Sequence, residues 1–357
     1  MKPRILFALL LPCIPLLAES TPSKSLLVLS KSDNTLGIVD PSTWKVIARM
    51  PSGQDPHEVA ASSDGKFAYI SNYGGGSLNT ITVVDLIAQK TLEPIDLGPL
   101  RGPHGLMFVG GKLWFTAEGA KVVASYDPTT KKVDWVLGTG QNRTHMIYVF
   151  DDLKRMLTTN VSSATMTVIE KTTVGGSGGP GGPGGPPPPG ADQKKKGAPG
   201  RGPGGPREDW NETVITVGRG AEGFDVTPDG KQAWAANAQD GTISILDLGT
   251  KQVVKTLDAN VSGANRLKFS PDGKLALVST LRGEDLTVFN VAGRNEVKRL
   301  KIGTGAAGIQ MQPDGARAFI ACTPDGYVVI LDLKTLEIAG KIDAGKQPDG
   351  MAWAVRP

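Results

Sequence analysis

Three histidines are the residues of this chain best suited to acid–base or metal chemistry, and the sequence has no others. They are His57, His104 and His145, and the second and fourth residues after each are apolar. Neutral imidazole binds zinc, copper or iron, and it titrates near neutral pH. The three surrounding motifs resemble one another, which indicates a repeat that would bring the imidazoles to one level of the molecule.

The repeat continues past the histidines with the same register. The equivalent positions are then Glu222, Asn265, Ala307 and Asp349. Most intervals are close to the roughly 40–45 residues typical of a four-stranded propeller blade. The interval between His145 and Glu222 is longer because it contains a Gly- and Pro-rich insert at residues 175–206.

Each repeat contains the signals of four short antiparallel strands. Asp-Gly turns, as at 64–65 and 272–273, separate apolar runs, and this dipeptide favours the positive φ of tight hairpins. Periodicity of two dominates beyond the N-terminus. Residues 26–50 supply three strands of a further blade and residues 346–355 its innermost strand, which closes the ring. We predict an all-β fold, a seven-bladed β-propeller of four-stranded blades over residues 25–356, with N- and C-terminal strands paired in one blade.

The strand and turn motifs resemble a known repeat family. Phe67–Asn72, Thr80–Asp85 and residues 270–274 are similar to the YVTN-type β-propeller repeat, which belongs with lactonase-like and cytochrome d1-like propellers. The resemblance covers residues 25–356 apart from the insert. It implies a seven-bladed fold and, as expectations, a lactone substrate or a tetrapyrrole in the channel. His104 occupies the position where a lactonase-like propeller would have its catalytic arginine, so that chemistry does not transfer directly.

Strand order predicts where the polar residues meet. The histidine position begins the innermost strand, and the antiparallel second strand returns to the same face. We therefore expect a ligand site at one mouth of the central channel. Its predicted residues are His57, His104, His145, Glu222, Asp349, Asn72, Glu118, Asn160 and Asn237.

Two interpretations of the histidines remain open. In the first, His57, His104 and His145 hold a transition metal ion beside Glu222, and Glu118 or Glu222 acts as a catalytic acid or base. In the second, each histidine begins a column of side chains that packs between blades, as the apolar residues after it suggest. The sequence therefore favours a binding protein for a protein or small-molecule ligand, with a metal-assisted hydrolase of lactonase type as the alternative.

Composition adds expectations about location and partners. Lys2 and Arg4 precede an apolar stretch, which predicts a signal peptide at residues 1–18 and a periplasmic or secreted protein. Cys322 is then the one remaining cysteine, and we expect it to be a core residue. The insert's composition predicts disorder. The formal net charge of +4 is concentrated in the leader and insert, so we expect no nucleic-acid binding. We also expect no membrane span and a monomer.

Overall fold

The computed structural model describes residues 20–174 and 207–357, which form twenty-nine strands and two short 3₁₀ turns. The signal peptide predicted at 1–18 and the insert at 175–206 lie outside the described residues. The 3₁₀ turns are Gly74–Gly76 and Val161–Ser163. Among the described residues, no helix is both long and apolar enough to cross a membrane.

The strands form seven antiparallel sheets, one for each blade. Blade 1 consists of β1 (Lys24–Ser30), β2 (Thr35–Asp40), β3 (Lys45–Pro51) and the last strand, β29 (Pro348–Val355). Blade 2 consists of β4 (Pro56–Ala61), β5 (Phe67–Asn72), β6 (Thr80–Asp85) and two short outer strands, β7 (Lys90–Thr91) and β8 (Ile95–Asp96). Blade 3 consists of β9 (Pro103–Val109), β10 (Lys112–Ala117), β11 (Val122–Asp127) and β12 (Lys132–Gly138).

The remaining four blades follow the same order from the channel outward. Blade 4 consists of β13 (Thr144–Val149), β14 (Arg155–Asn160), β15 (Thr165–Val174) and β16 (Arg207–Thr216). Blade 5 consists of β17 (Ala221–Val226), β18 (Gln232–Asn237), β19 (Thr242–Asp247) and β20 (Gln252–Asp258). Blade 6 consists of β21 (Ala264–Phe269), β22 (Leu275–Thr280), β23 (Asp285–Asn290) and β24 (Asn295–Lys301). Blade 7 consists of β25 (Ala306–Met311), β26 (Arg317–Cys322), β27 (Tyr327–Asp332) and β28 (Glu337–Asp343).

The two ends of the chain close the ring. Strand β29 pairs with β1 in antiparallel register, with Leu26 opposite Trp353 and Val28 opposite Met351. The innermost strand of blade 1 therefore comes from the C-terminus and its other strands from the N-terminal part. The predicted seven-bladed propeller, closed by pairing both ends in one blade, is confirmed.

The core lies between blades. The described residues contain seven clusters of buried apolar side chains, and each cluster joins two neighbouring blades. Trp234 of blade 5, for example, packs edge-on against Phe269 of blade 6. Cys322 is fully buried in the cluster of blades 6 and 7, and burial raises the pKa of its thiol to about 12.

The hairpin that leads into the insert is longer than the sequence pattern indicated. The sequence pattern predicts the third and fourth strands of blade 4 at residues 164–170 and 213–217. In the structure β15 and β16 stay paired as far as Val174 opposite Arg207. The extension is stabilised by an ion pair between Lys171 and Glu208 and by Trp210, which packs on Trp135.

Candidate functional site

Each innermost strand has a β-bulge at the repeat position that the histidines share. In blade 4 the pairing moves from Thr144 to Ile147 while the partner strand moves only from Asn160 to Thr158, so His145 lies in the bulge. The other six blades show the same shift at the equivalent position. A bulge breaks the alternation of a strand and redirects a side chain, and bulges are enriched beside functional sites.

The seven bulge positions line one cavity of about 220 Å³ at a mouth of the channel. They are His57, His104, His145, Glu222, Asn265, Ala307 and Asp349. The packing-column interpretation is therefore not what the structure shows at these positions. The bulge directs His145 toward the channel, whereas Ile147 of the same strand packs between blades 3 and 4.

The residue after the bulge position lets neighbouring blades touch. It is glycine in four blades, at Gly105, Gly223, Gly308 and Gly350. A Cβ added to Gly350 would lie 2.3 Å from the carbonyl oxygen of His57, and one added to any of the other three glycines would lie 2.2–2.7 Å from a carbonyl oxygen of the next blade. The bulges thus form a continuous inner ring, which fixes the side chains that line the cavity.

A hydroxyl opposite the bulge links one blade to the next. The Gly105 N–H donates to Thr116 Oγ1 at 2.9 Å, and that hydroxyl donates to the His145 carbonyl at 2.6 Å. Thr159 and Ser279 donate in the same way to the bulge carbonyl of the following blade. The positions of the ring residues are therefore set by backbone contacts as well as by packing.

His57 lies at the cavity with both ring nitrogens engaged. Lys31 Nζ is 2.8 Å from His57 Nε2, and the Asp55 carbonyl oxygen is 3.1 Å from Nδ1. Burial, reinforced by Lys31 and opposed by Asp349, lowers the pKa of His57. The ring is therefore neutral near pH 7, with Nδ1–H donated to Asp55 and Nε2 accepting from the ammonium group.

His145 lies between two carboxylates. Its Nδ1 contacts the Glu118 carboxylate, and its Nε2 is 2.9 Å from Glu222 Oε2 without the alignment of a hydrogen bond. Burial disfavours the charged ring, but the two carboxylates outweigh it and raise the pKa of His145. Burial likewise opposes ionisation of Glu222, yet His145 and Arg143 lower the pKa of Glu222 to about 2. Tyr73 donates to Glu118 at 2.5 Å, so this carboxylate is held from a third side.

His104 is the most enclosed of the three histidines. Its side chain is almost fully buried, and among the described residues its Nδ1 has no hydrogen-bond partner. Its ring centroid is 3.8 Å from that of His145, 5.1 Å from that of His57 and 5.0 Å from that of Tyr73. Burial, together with the neighbouring histidines, holds the pKa of His104 well below its usual range, so this ring is neutral.

A buried ion pair separates the cavity from the rest of the channel. Arg266 and Glu58 each follow a bulge position, in blades 6 and 2, and the Arg266 guanidinium contacts the Glu58 carboxylate. Arg266 lines both the polar cavity and a second, more apolar cavity along the channel, where Met107 and Met311 are among the lining residues. Burial opposes the charge, but Glu58 and Asp349 raise the pKa of Arg266.

The three asparagines predicted for the site lie elsewhere. Asn72, Asn160 and Asn237 are buried and do not line the cavity. Each side-chain amide donates to hydroxyls on the third strand of its own blade; that of Asn237, for example, is 2.9 Å from both Thr242 and Ser244. All three end the second strand and bond to the third, so they hold the hairpin rather than point to the channel.

Among the residues of the site that sequence reasoning missed, five are charged or aromatic. They are Lys31, Glu58, Tyr73, Arg143 and Arg266. A signal for three of them was present, because Arg143 is two residues before His145 and Glu58 and Arg266 each directly follow a ring position. Lys31 and Tyr73 directly follow β1 and β5, the position that Glu118 holds after β10, so the repeat register contained a signal for them as well.

The structure brings together a different potential metal-binding set from the three histidines. Within the described ranges, His104, Glu118 and His145 have potential ligand atoms that all lie within 4.8 Å of one another. All three side chains are buried. His57 is outside this group, and its nitrogens are already engaged by Lys31 and Asp55.

Comparison with known proteins supports the fold. Residues 204–318 match the model of a family described as YNCE-like beta-propellers. The similarity is to a propeller family. This stretch covers the end of blade 4, blades 5 and 6, and the start of blade 7. No curated protein matches the sequence.

Several solved structures share the architecture. A functionally unknown protein from Desulfotomaculum acetoxidans DSM 771 is 13% identical with a TM-score of 0.70, over 93% of this chain and 99% of that one. A putative 6-phosphogluconolactonase from Bacteroides fragilis NCTC 9343 is 17% identical with a TM-score of 0.68, over 94% and 99%. Dihydro-heme d1 dehydrogenase NirN, in complex with DHE, is 15% identical with a TM-score of 0.59, over 96% and 77%. The predicted resemblance to lactonase-like and cytochrome d1-like propellers is thus confirmed for the fold.

Proposed function

We propose that this protein is an exported propeller that binds a small polar ligand in the channel-mouth cavity. The observation that carries the proposal is the convergence of all seven bulge positions on one cavity. Its volume of about 220 Å³ is below the roughly 300–1,000 Å³ of pockets for drug-sized ligands. The ligand is therefore a small molecule or an ion, and a tetrapyrrole does not fit.

The charges around the cavity support a binding role. Lys31, Arg143 and Arg266 line it together with Glu222 and Asp349. Removing charged groups from water is costly even when they are paired, and apolar residues of similar volume are often as stable. A buried charged cluster is thus better explained by recognition of a polar ligand than by stability of the fold.

A ligand panel tests the binding role. Thermal unfolding is measured with sugar lactones, amino acids, dicarboxylates and divalent metal ions, for the wild type and for Ala307→Leu, which fills the cavity. A ligand at about 100 times its Kd stabilises the folded state by about 2.7 kcal/mol and raises Tm by several degrees. Ala339→Leu, on the exposed face of β28, is the matched control and keeps the wild-type response. Equal responses of wild type and Ala307→Leu to every compound would count against the proposal.

Export is the second part of the proposal and rests on the leader at residues 1–18. Cell fractionation followed by N-terminal sequencing of the mature protein tests it. We expect the chain in the periplasm or medium with its N-terminus near residue 19, and an uncleaved cytoplasmic chain would contradict export.

One observation favours a hydrolase of lactonase type as the second candidate. His57 is neutral, borders the cavity and is oriented by Asp55, and its Nε2 would act as a general base once substrate displaces the Lys31 ammonium group from it. Hydrolysis of δ-gluconolactone and 6-phosphogluconolactone above the spontaneous rate tests it. Loss of that rate by about 10²–10⁴-fold in His57→Gln would support catalysis. An unchanged rate in that variant would exclude the histidine as the base.

A further inference from the structure

The strongest cluster of potential metal ligands lies in the wall of the cavity, on blades 3 and 4. His104 is at the bulge of β9, Glu118 directly follows β10, and His145 is at the bulge of β13. Their potential ligand atoms lie within 4.8 Å of one another, and each residue is more than nine-tenths buried. Two imidazoles and one carboxylate are the donor set of catalytic zinc sites and of non-haem iron sites.

A second observation points to a ligand at this cluster. In the described structure, Nδ1 of His104 is buried without a hydrogen-bond partner. Buried polar atoms are almost always paired, so an unpaired one calls for an explanation such as an ion. Ring contacts with His57 and Tyr73 account for the packing of His104 but leave its nitrogen unsatisfied.

The charges around the cavity are consistent with a divalent cation. Five carboxylates and three permanent cations form ion pairs at the cavity. The carboxylates are those of Asp55, Glu58, Glu118, Glu222 and Asp349, and the cations are Lys31, Arg143 and Arg266. The five carboxylates therefore outnumber the permanent cations by two, which favours a cation as the ligand.

From these observations we infer that the chain binds one divalent transition metal ion of the Zn²⁺ class, with His104, His145 and Glu118 as protein ligands. This inference rests on the proposed function, because it names the ligand class of the same site. Glu222 and Arg143 flank His145 and Glu118 and position them, and the cavity side leaves room for water or a small molecule on the ion. His57 is not a ligand.

The experiment uses the mature protein without a polyhistidine tag, freed of metal by a chelator. Zn²⁺ is titrated by calorimetry, and Co²⁺ is followed by its visible absorption. We expect one equivalent to bind with a Kd below about 1 µM. His104→Phe keeps a ring at the same position but has no nitrogen donor, and it weakens binding at least about 100-fold. The matched variant His57→Phe weakens binding less than about tenfold.

Each outcome decides the ligand set. X-ray absorption at the zinc edge of the wild type shows two imidazole ligands with oxygen, a result independent of whether any variant folds. Equal loss of affinity in His57→Phe and His104→Phe would overturn this set, as would one-equivalent binding that survives His104→Phe combined with His145→Gln.

Failure of this inference and failure of the proposed function are distinguishable. If a folded wild type binds none of Zn²⁺, Co²⁺, Ni²⁺ and Cu²⁺, the metal site is refuted. An organic compound of the panel that still stabilises the wild type, but not Ala307→Leu, leaves the binding role intact. If neither class of compound binds, both proposals fail.

Discussion

Removal of the Arg266 guanidinium is expected to destabilise the propeller strongly. This side chain is 6% exposed and that of Glu58 is 13% exposed, so the pair is nearly free of solvent. Arg266→Met conserves most of the apolar stem but leaves Glu58 as a buried carboxylate without its partner. Breaking a buried pair from one side costs about 3–5 kcal/mol.

A double-mutant cycle separates that cost from loss of packing. Glu58→Gln combined with Arg266→Met removes both charges, and we expect it to be at least about 2 kcal/mol more stable than the two single losses together predict. Urea unfolding followed by far-ultraviolet circular dichroism measures all four proteins. Lys274→Met, which breaks a largely exposed pair with Asp272, is the control and changes stability by less than about 0.5 kcal/mol.

Two results would refute this reasoning. A loss below about 1 kcal/mol in Arg266→Met would mean that water reaches Glu58 and solvates it. Additive single and double effects would mean that the two side chains act independently. In either case the pair would not form the closed floor of the cavity, and the channel would be continuous at this level.

Three further predictions concern the ring, the hairpins and the turns. Gly350→Ala places a Cβ 2.3 Å from a backbone oxygen of the next blade, so we expect a loss of about 1–3 kcal/mol by urea unfolding, whereas Gly138→Ala meets no atom within 4 Å and loses nothing measurable. Asn237→Ala leaves the hydroxyls of its hairpin unpaired, so we expect it to lower Tm. Ligand binding should not weaken, because the Asn237 side chain is not at the cavity. Weaker binding in a folded variant would mean that Asn237 contributes to the site. The Ser270 hydroxyl and the Lys274 N–H hold the pKa of Asp272 at about 2, below its ordinary 3.8, so its stabilising contribution is present above about pH 4 and is lost as the pH falls toward 2. The Tm difference between wild type and Asp272→Asn therefore shrinks over that range, and a constant difference would contradict this.

The architecture was predictable because the same pattern of strands and turns recurs along the chain. The position shared by His57 and Asp349 recurs at a blade-like interval, and the Asp-Gly turns place the strands on either side of it. The ring of bulge residues around one cavity follows from that register. A prediction from periodicity treats strands as regular, however, whereas each innermost strand has one additional residue at the ring position. The bulge is therefore the feature that decided between packing and channel lining, and alternation alone predicted the wrong face.

The partners across the channel were not predictable, for a related reason. Arg266 meets Glu58 because both occupy the second residue of a bulge, on blades separated by more than half of the chain. No local pattern encodes which blades face each other at that level. The asparagines are a different case, since Asn72 and Asn237 are polar and pair beside the ring positions, but third-strand hydroxyls already satisfy them.

The backbone before the ring positions has the same conformation in all seven blades. Two residues before each bulge position the chain has positive φ, and in four blades glycine adopts it without strain, as at Gly220. Asp55 and Arg143 adopt the same conformation as non-glycine residues, at a cost of about 1–2 kcal/mol each. Both side chains contact a ring histidine or its carboxylates, Asp55 at His57 and Arg143 at Glu118. Gln347 of blade 1 has the same backbone conformation, but its side chain accepts a hydrogen bond from Ser32 and does not line the cavity. Positive φ at this position therefore does not by itself mark the site, and in blades 2 and 4 its consequence is to direct Asp55 and Arg143 toward the histidines.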